Sequence, residues 1–154
     1  MISLNRIDRN ILRALQQDGR LSYAELARQV GLTTTPCIER VRRLEREGVI
    51  TGFSALVNPV AVGASLVVFV QIRLSRTSQD NFEQFKAAAF ELPEVQECYL
   101  VSGNFDYLIK ARVADMAAYR ELLGSTLLGL PGVQESTSYV VMETVKETLC
   151  VEIP

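Results

Sequence analysis

The segment from Leu21 to Gly48, LSYAELARQVGLTTTPCIERVRRLEREG, constrains this chain more than any other. Ser22 stands three residues ahead of Glu25, the spacing of a capping box, and Leu26, Ala27 and Val30 follow on one helical face. Gly31 breaks the period where a sharp turn requires positive φ. A second helix opens within Thr33-Thr34-Thr35, with Pro36 near its first turn, where a missing N–H costs nothing. Cys37, Ile38, Val41 and Leu44 form its inner stripe, and Pro36, Glu39, Arg40, Arg43 and Arg46 fall on the other side. Two short helices joined by a glycine turn make a helix-turn-helix, and an arginine-bearing second helix is what such a module places in a DNA major groove.

A helix over Asn5 to Asp18 precedes this pair, with Ile7, Ile11, Leu12 and Leu15 at helical spacing and Gly19 as a candidate C-cap. Helices of this kind read with their N-terminal half. That places Thr34, Thr35, Pro36, Glu39 and Arg40 nearest the base edges and leaves Arg42, Arg43 and Arg46 for phosphate. Thr33, Ser22 and Tyr23 complete the expected DNA-contacting set. The plainer alternative is a solvated face on which Glu39, Glu45 and Glu47 pair locally with the arginines. Charge distribution favours the first reading. Residues 1–50 carry nine arginines against six acidic residues, a net of +3, and the remainder carries −5. A basic head on an acidic body points to an anionic partner for the head alone.

The 154 residues allow one large domain or two small ones, and 48% hydrophobic content is enough for packed cores. No apolar run is long enough to cross a bilayer and MISLNRIDRN has no signal-peptide pattern, so a cytoplasmic protein without membrane association is expected. Cys37, Cys98 and Cys150 are odd in number and far apart, and read as buried or half-buried thiols of a reducing compartment. The chain has no histidine, which removes the commonest general base and zinc ligand. Its carboxylates are scattered and its thiols isolated, so neither a metal nor another cofactor is expected.

Val49 to Ser54 is β-rich and short, a small wing or the start of a linker strand, and Asn58-Pro59 and Gly63 mark a boundary. The expected organisation is a head over 1–52, a linker strand over 53–63 and a body over 64–154. In the body, Leu66, Val68, Val70, Ile72 and Leu74 alternate with Ser65, Gln71 and Arg73, as in a strand with one buried face. Ser78 can cap a helix burying Phe82, Phe85 and Ala89. Strands over Val95–Val101 and Tyr107–Val113 flank the turn Ser102-Gly103-Asn104. Asp115 caps a helix burying Tyr119, Leu122, Leu123 and Leu127, and Val133–Met142 is a fourth strand. Leu92-Pro93-Glu94-Val95-Gln96-Glu97 recurs as Leu130-Pro131-Gly132-Val133-Gln134-Glu135, both times at a helix-to-strand junction. The order β-α-β-β-α-β with matching junctions points to a ferredoxin-like split-βαβ fold and an α+β chain overall.

The two halves together resemble the Lrp/AsnC family of bacterial transcription regulators. The resemblance is carried by Asn5 to Leu12 (NRIDRNIL), Thr35 to Glu45 (TPCIERVRRLE), Phe82 to Phe85 (FEQF), Leu100 to Tyr107 (LVSGNFDY) and Ser138 to Glu143 (SYVVME), and it covers nearly the whole chain. It implies a winged helix-turn-helix head, a β-strand linker, and a ligand-sensing αβ-sandwich that dimerises and assembles further, often to octamers. It also implies double-stranded DNA as a partner and an amino acid such as leucine or alanine as effector, bound between body domains where dimers meet. Many relatives read Gly-Asp-Phe-Asp-Tyr in the loop where this chain has Asn104, one charge fewer beside the implied pocket.

A zwitterionic ligand needs donors for its carboxylate, an acceptor for its ammonium and room for its side chain. The Gly103 turn can offer backbone N–H groups, Asp106 can pair with an ammonium, and Leu100, Met116 and Val140 are candidates for the apolar wall. Tyr139 is a candidate to close the pocket, with Ser136, Thr137 and Ser138 adding hydroxyls from a neighbouring subunit. On pattern alone the same residues also fit a tight hairpin with an Asp bonded to nearby backbone, and ordinary core. Two other function classes share the pattern. One is a sirohaem-type decarboxylase on the same scaffold, disfavoured because such enzymes use histidines. The other is an amino-acid-binding module without DNA activity, which would leave every fragment unshifted in a gel.

Overall fold

The computed structural model describes residues 3–75 and 79–154, so the expected cap Ser78 lies outside the described residues. The chain divides into two compact units, one of residues 1–56 with 146–154, the other of 57–145.

The first unit is built on three helices. The first, α1 (Arg6–Gln17), starts from Asn5 and a reciprocal capping box with Asp8: Asp8 N–H donates to Asn5 Oδ1 at 3.0 Å and Asn5 N–H to Asp8 Oδ2 at 3.2 Å. It ends at Asp18 in extended conformation, so Gly19 is not its C-cap. The second, α2 (Tyr23–Val30), has the expected Ser22–Glu25 box and stops at Gly31, which takes the left-handed φ of +73°. The third, α3 (Thr34–Arg46), follows directly. Ile11, Leu26, Ala27, Val30, Cys37, Val41 and Leu44 close the core, whereas Ile38, expected on the same inner stripe, is only half-buried. Past α3, the N–H groups of Val49 and Ile50 both donate to Leu44 O, and residues 51–58 carry no strand pairing.

The C-terminal segment also belongs to this unit. Gln16 exchanges two hydrogen bonds with Val151, Nε2 to O at 2.9 Å and N to Oε1 at 2.8 Å, and an Arg13 Nη donates to Ile153 O at 2.8 Å. Leu149, Val151 and Ile153 line a groove of about 560 Å³ with Leu4, Leu12, Leu15, Ile50 and Phe53.

The second unit is an antiparallel sheet of β1 (Leu66–Leu74), β2 (Val95–Leu100), β3 (Tyr107–Val113) and β4 (Val133–Val140) in the order β2-β3-β1-β4. Two helices, α4 (Gln79–Phe90) and α5 (Met116–Glu121), cross over between strands. Alternation in β1 and β3 buries Val68, Val70, Ile72, Leu74, Tyr107, Ile109, Ala111 and Val113 beneath Phe85, Ala89, Tyr119, Leu122 and Leu127. The repeated junctions fold alike: Val95 N–H donates to Leu92 O at 3.1 Å and Val133 N–H to Leu130 O at 3.2 Å. The helix expected after Asp115 departs from regularity. Asp115 does cap it, through Ala118 N–H, but Leu122–Thr126 forms a π turn. The wider turn lets Leu122 and Leu127, five apart, both reach the core. Cys37 is buried as expected. Cys98 and Cys150 are exposed, because β2 is an outer strand and the C-terminal segment is held mainly by hydrogen bonds.

Candidate functional site

On α3 the exposed residues are Thr34, Thr35, Glu39, Arg42, Glu45 and Arg46, with Thr33 exposed just before the helix. At 100° per residue, Thr35, Glu39, Arg42 and Arg46 form one outward stripe, a hydroxyl, a carboxylate and two guanidinium groups. Pro36 is half-buried in the first turn. Ser22 and Tyr23 are exposed at the start of α2, where the Ser22 hydroxyl is committed to Glu25 at 2.6 Å.

Arg40 and Arg43 are placed differently from Arg42 and Arg46. Both turn toward α1, where Asp8 is fully buried: an Arg40 Nη lies 3.0 Å from Asp8 Oδ1 and an Arg43 Nη 2.6 Å from Oδ2. Burial pushes the Asp8 carboxyl upward, but the hydrogen bonds from Arg43, the Asn5 N–H and Arg40 outweigh it, and its pKa lies below the usual carboxylate value of 3.8. Sequence reasoning missed Asp8, although a signal was present. It stands three, four and seven residues before Ile11, Leu12 and Leu15, which is a core position for a charged residue.

In the sensing unit the residues expected around a ligand separate into two groups. The first surrounds the β2–β3 turn. Val101 N–H donates to Asp106 O and closes the turn, Asp106 N–H donates to Ile72 O, and the Asp106 carboxylate accepts from Leu74 N–H at 2.8 Å. Asp106 therefore ties the turn to the end of β1, with Leu100 exposed at the end of β2 and Gly103 exposed on the turn itself. Asn104 offers its backbone oxygen to Arg73, Nε at 3.0 Å and Nη2 at 2.5 Å, while the other Nη of Arg73 lies 3.0 Å from Glu135 Oε2. Gln71, Arg73, Asn104, Phe105, Glu135, Ser136 and Thr137 line a cleft of about 100 Å³. Arg73 and Glu135 were not anticipated as site residues. The only hint was that Arg73 falls on the non-core face of an alternating strand.

The second group lies toward the other end of the sheet. Met116 opens α5 just beyond β3, and Val140 pairs with Val68 near the start of β1. At about 3.3 Å per residue, the seven residues of β3 set Met116 roughly 20 Å from the turn. Strand alternation divides β4 as well. Ser136, Ser138 and Val140 lie opposite Ile72, Val70 and Val68 on the helix side, where Ser138 bonds the Tyr119 hydroxyl. Thr137 and Tyr139 lie opposite Gln71 and Phe69 on the side that carries no helix.

Residues 4–51 match the family described as winged helix-turn-helix DNA-binding, and residues 67–150 match the Lrp/AsnC ligand binding domain. The chain belongs to the Lrp/AsnC family. It is 63% identical over 145 residues to the leucine-responsive regulatory protein of Salmonella typhimurium, covering 94% of this chain and 88% of that one. The Escherichia coli protein of the same name is 62% identical with the same coverage. Among solved structures, a transcriptional regulator of Neisseria meningitidis in complex with L-Met superposes with a TM-score of 0.93 at 35% identity, covering 97% of each chain. An AsnC family regulator of Agrobacterium tumefaciens gives 0.91 at 40% identity, covering 98% of this chain and 97% of that one. This Lrp/AsnC chain is thus a DNA-binding transcriptional regulator modulated by an amino-acid effector, and its relatives are named as regulators, not enzymes. Among the described residues no helix is long and apolar enough to cross a membrane.

Proposed function

We propose that this regulator works in the cytoplasm as a homodimer that assembles further, as far as an octamer, and answers an aliphatic amino acid of the leucine, alanine or methionine type. The observation that carries the reading is the cleft beside the β2–β3 turn. A guanidinium and a carboxylate, Arg73 and Glu135, lie 3.0 Å apart on its wall, one charge for each end of a zwitterion. The relatives named for leucine and the neighbour holding L-Met support an apolar side chain on that ligand.

Self-association has its own support. The sheet side opposite the helices carries Phe69, Leu108, Tyr99 and Tyr139, with both tyrosines about half exposed, and Leu56, Val57, Val60 and Val62 of the linker are exposed as well. Apolar surface on this scale is what a monomer avoids. Assembly also answers the split between the two groups of ligand residues. A turn from one subunit and the Met116–Val140 end from another complete a pocket that one chain leaves open.

In the head, the α3 stripe meets the major groove and a dimer presents two such helices. The target is then a degenerate inverted repeat with half-sites spaced by whole helical turns. A thermal-shift screen of the natural amino acids, combined with light scattering, tests the reading. One aliphatic amino acid at a hundred times its dissociation constant should stabilise by about 2.7 kcal/mol and change the scattering mass. A monomer that none of them stabilises refutes it.

A further inference from the structure

Asp8 combines features that ordinary helix packing does not explain. It is the one charged side chain fully buried among the described residues, it sits on α1 and not on the DNA-facing helix, and both its oxygens are taken by arginines of α3. The two arginines are spaced i, i+3 on the flank of α3 between the core stripe and the outward stripe. A carboxylate held from two points on such a flank opposes rotation of the helix about its own axis, adding a directional restraint to the non-directional apolar contacts at Cys37, Val41 and Leu44. Rotation of α3 would move every side chain that faces the duplex.

We infer that Asp8 is a positioning residue for DNA recognition: it pins Arg40 and Arg43, sets the roll of α3, and reserves Thr35, Glu39, Arg42 and Arg46 for the duplex. The inference rests on the proposal that the outward face of α3 contacts DNA. It divides the four arginines of that helix into two classes. Arg42 and Arg46 have neither an ion pair nor a side-chain hydrogen bond among the described residues and are exposed, so they are free to meet phosphates or bases. Arg40 and Arg43 share the one buried carboxylate of Asp8, and Arg43 has a second acidic neighbour in Glu47 at 3.8 Å. A phosphate gains little from a guanidinium that must first leave a buried carboxylate. Without Asp8, those two cations become available to any duplex, whatever its sequence.

The test uses the full chain with two duplexes of equal length, one selected by the protein from a randomised pool and one scrambled. Affinity is measured across salt concentrations. Arg42→Ala and Arg46→Ala should each flatten the slope of log K against log salt by about 0.9, one phosphate contact apiece. Arg40→Ala and Arg43→Ala should leave the slope unchanged while reducing the preference for the selected duplex. Asp8→Asn should steepen the slope by up to about 1.8 as two arginines are released, and lower the selected-to-scrambled ratio by about tenfold. A merely structural Asp8 would weaken both duplexes equally at constant slope, and that result overturns the inference. So does flattening by Arg40→Ala or Arg43→Ala as large as that of Arg42→Ala. If Asp8→Asn does not fold, the arginine variants alone decide. If Arg42→Ala and Arg46→Ala leave the slope untouched, the proposed DNA face itself is wrong and the inference falls with it.

Discussion

Replacing Asp8 with asparagine removes the charge and preserves the shape, so the cost can be assembled from its contacts. The variant keeps a side-chain oxygen that accepts from Asn5 N–H, and the helix cap survives in part. What it loses is the ionic character of both arginine contacts, 2.6 Å to Arg43 and 3.0 Å to Arg40, and one of the two outright, because the amide nitrogen that replaces one oxygen is itself a donor. Hydrogen bonds to charged groups are worth about 1.5–3 kcal/mol each. Both arginines remain about a third exposed and can rehydrate, which cuts that sum by more than half. The expected loss is therefore about 2 kcal/mol at neutral pH, read as a roughly 30-fold fall in amide protection at Val41 and Leu44. The pH dependence has a definite sign. The folded pKa of Asp8 lies below its unfolded value of 3.8, so its contribution is fully present above 3.8 and is lost as pH falls through the folded pKa. Wild type and variant should converge in that acid range. A cost under about 0.5 kcal/mol at pH 7, or a gap that persists undiminished in acid, refutes the account of the buried carboxylate.

Three further outcomes follow from single contacts. Gly132 has a φ of +75° and an added Cβ would meet Asn81 Cβ at 3.0 Å, so Gly132→Ala should cost about 1–3 kcal/mol in urea denaturation. Among the described residues the buried Tyr107 hydroxyl has no hydrogen-bond partner, while its ring packs on Phe85 with centroids 4.5 Å apart, so Tyr107→Phe should be neutral or raise stability by about 1 kcal/mol in the same assay. Arg73→Ala frees the Asn104 carbonyl and removes one wall of the cleft, and should weaken amino-acid binding about tenfold by calorimetry with little effect on the protein's melting temperature in the absence of ligand.

Much of the fold was legible because local chemistry and long-range packing agree. The Ser22–Glu25 box, the left-handed Gly31 and the alternation of β1 each name their own structure, and the duplicated Leu-Pro junctions reveal the two βαβ halves. What escaped depends on side-chain reach across distant sequence. Helical spacing puts Arg40, Arg43 and Arg46 on the side away from the core stripe, but a long arginine on the flank goes wherever a counter-charge lies, here Asp8, 32 and 35 residues away. The pairing of Gln16 with Val151 spans 135 residues and leaves no periodic trace. The π turn after Glu121 shifts the helix phase without a glycine or proline forced at its start. The expected ligand residues were chosen by chemistry along the chain, and strand alternation together with the length of β3 then divides them between two faces and two ends of one sheet.

Fluorescence anisotropy of a labelled duplex, titrated with the full chain with and without the amino acid that stabilises it, most directly joins head to sensing unit. The account predicts tight binding at low salt and a ligand-dependent change in apparent affinity of about 5- to 150-fold, corresponding to about 1–3 kcal/mol of coupling. Binding curves that superimpose at every ligand concentration, for a ligand that demonstrably occupies the protein, would contradict it.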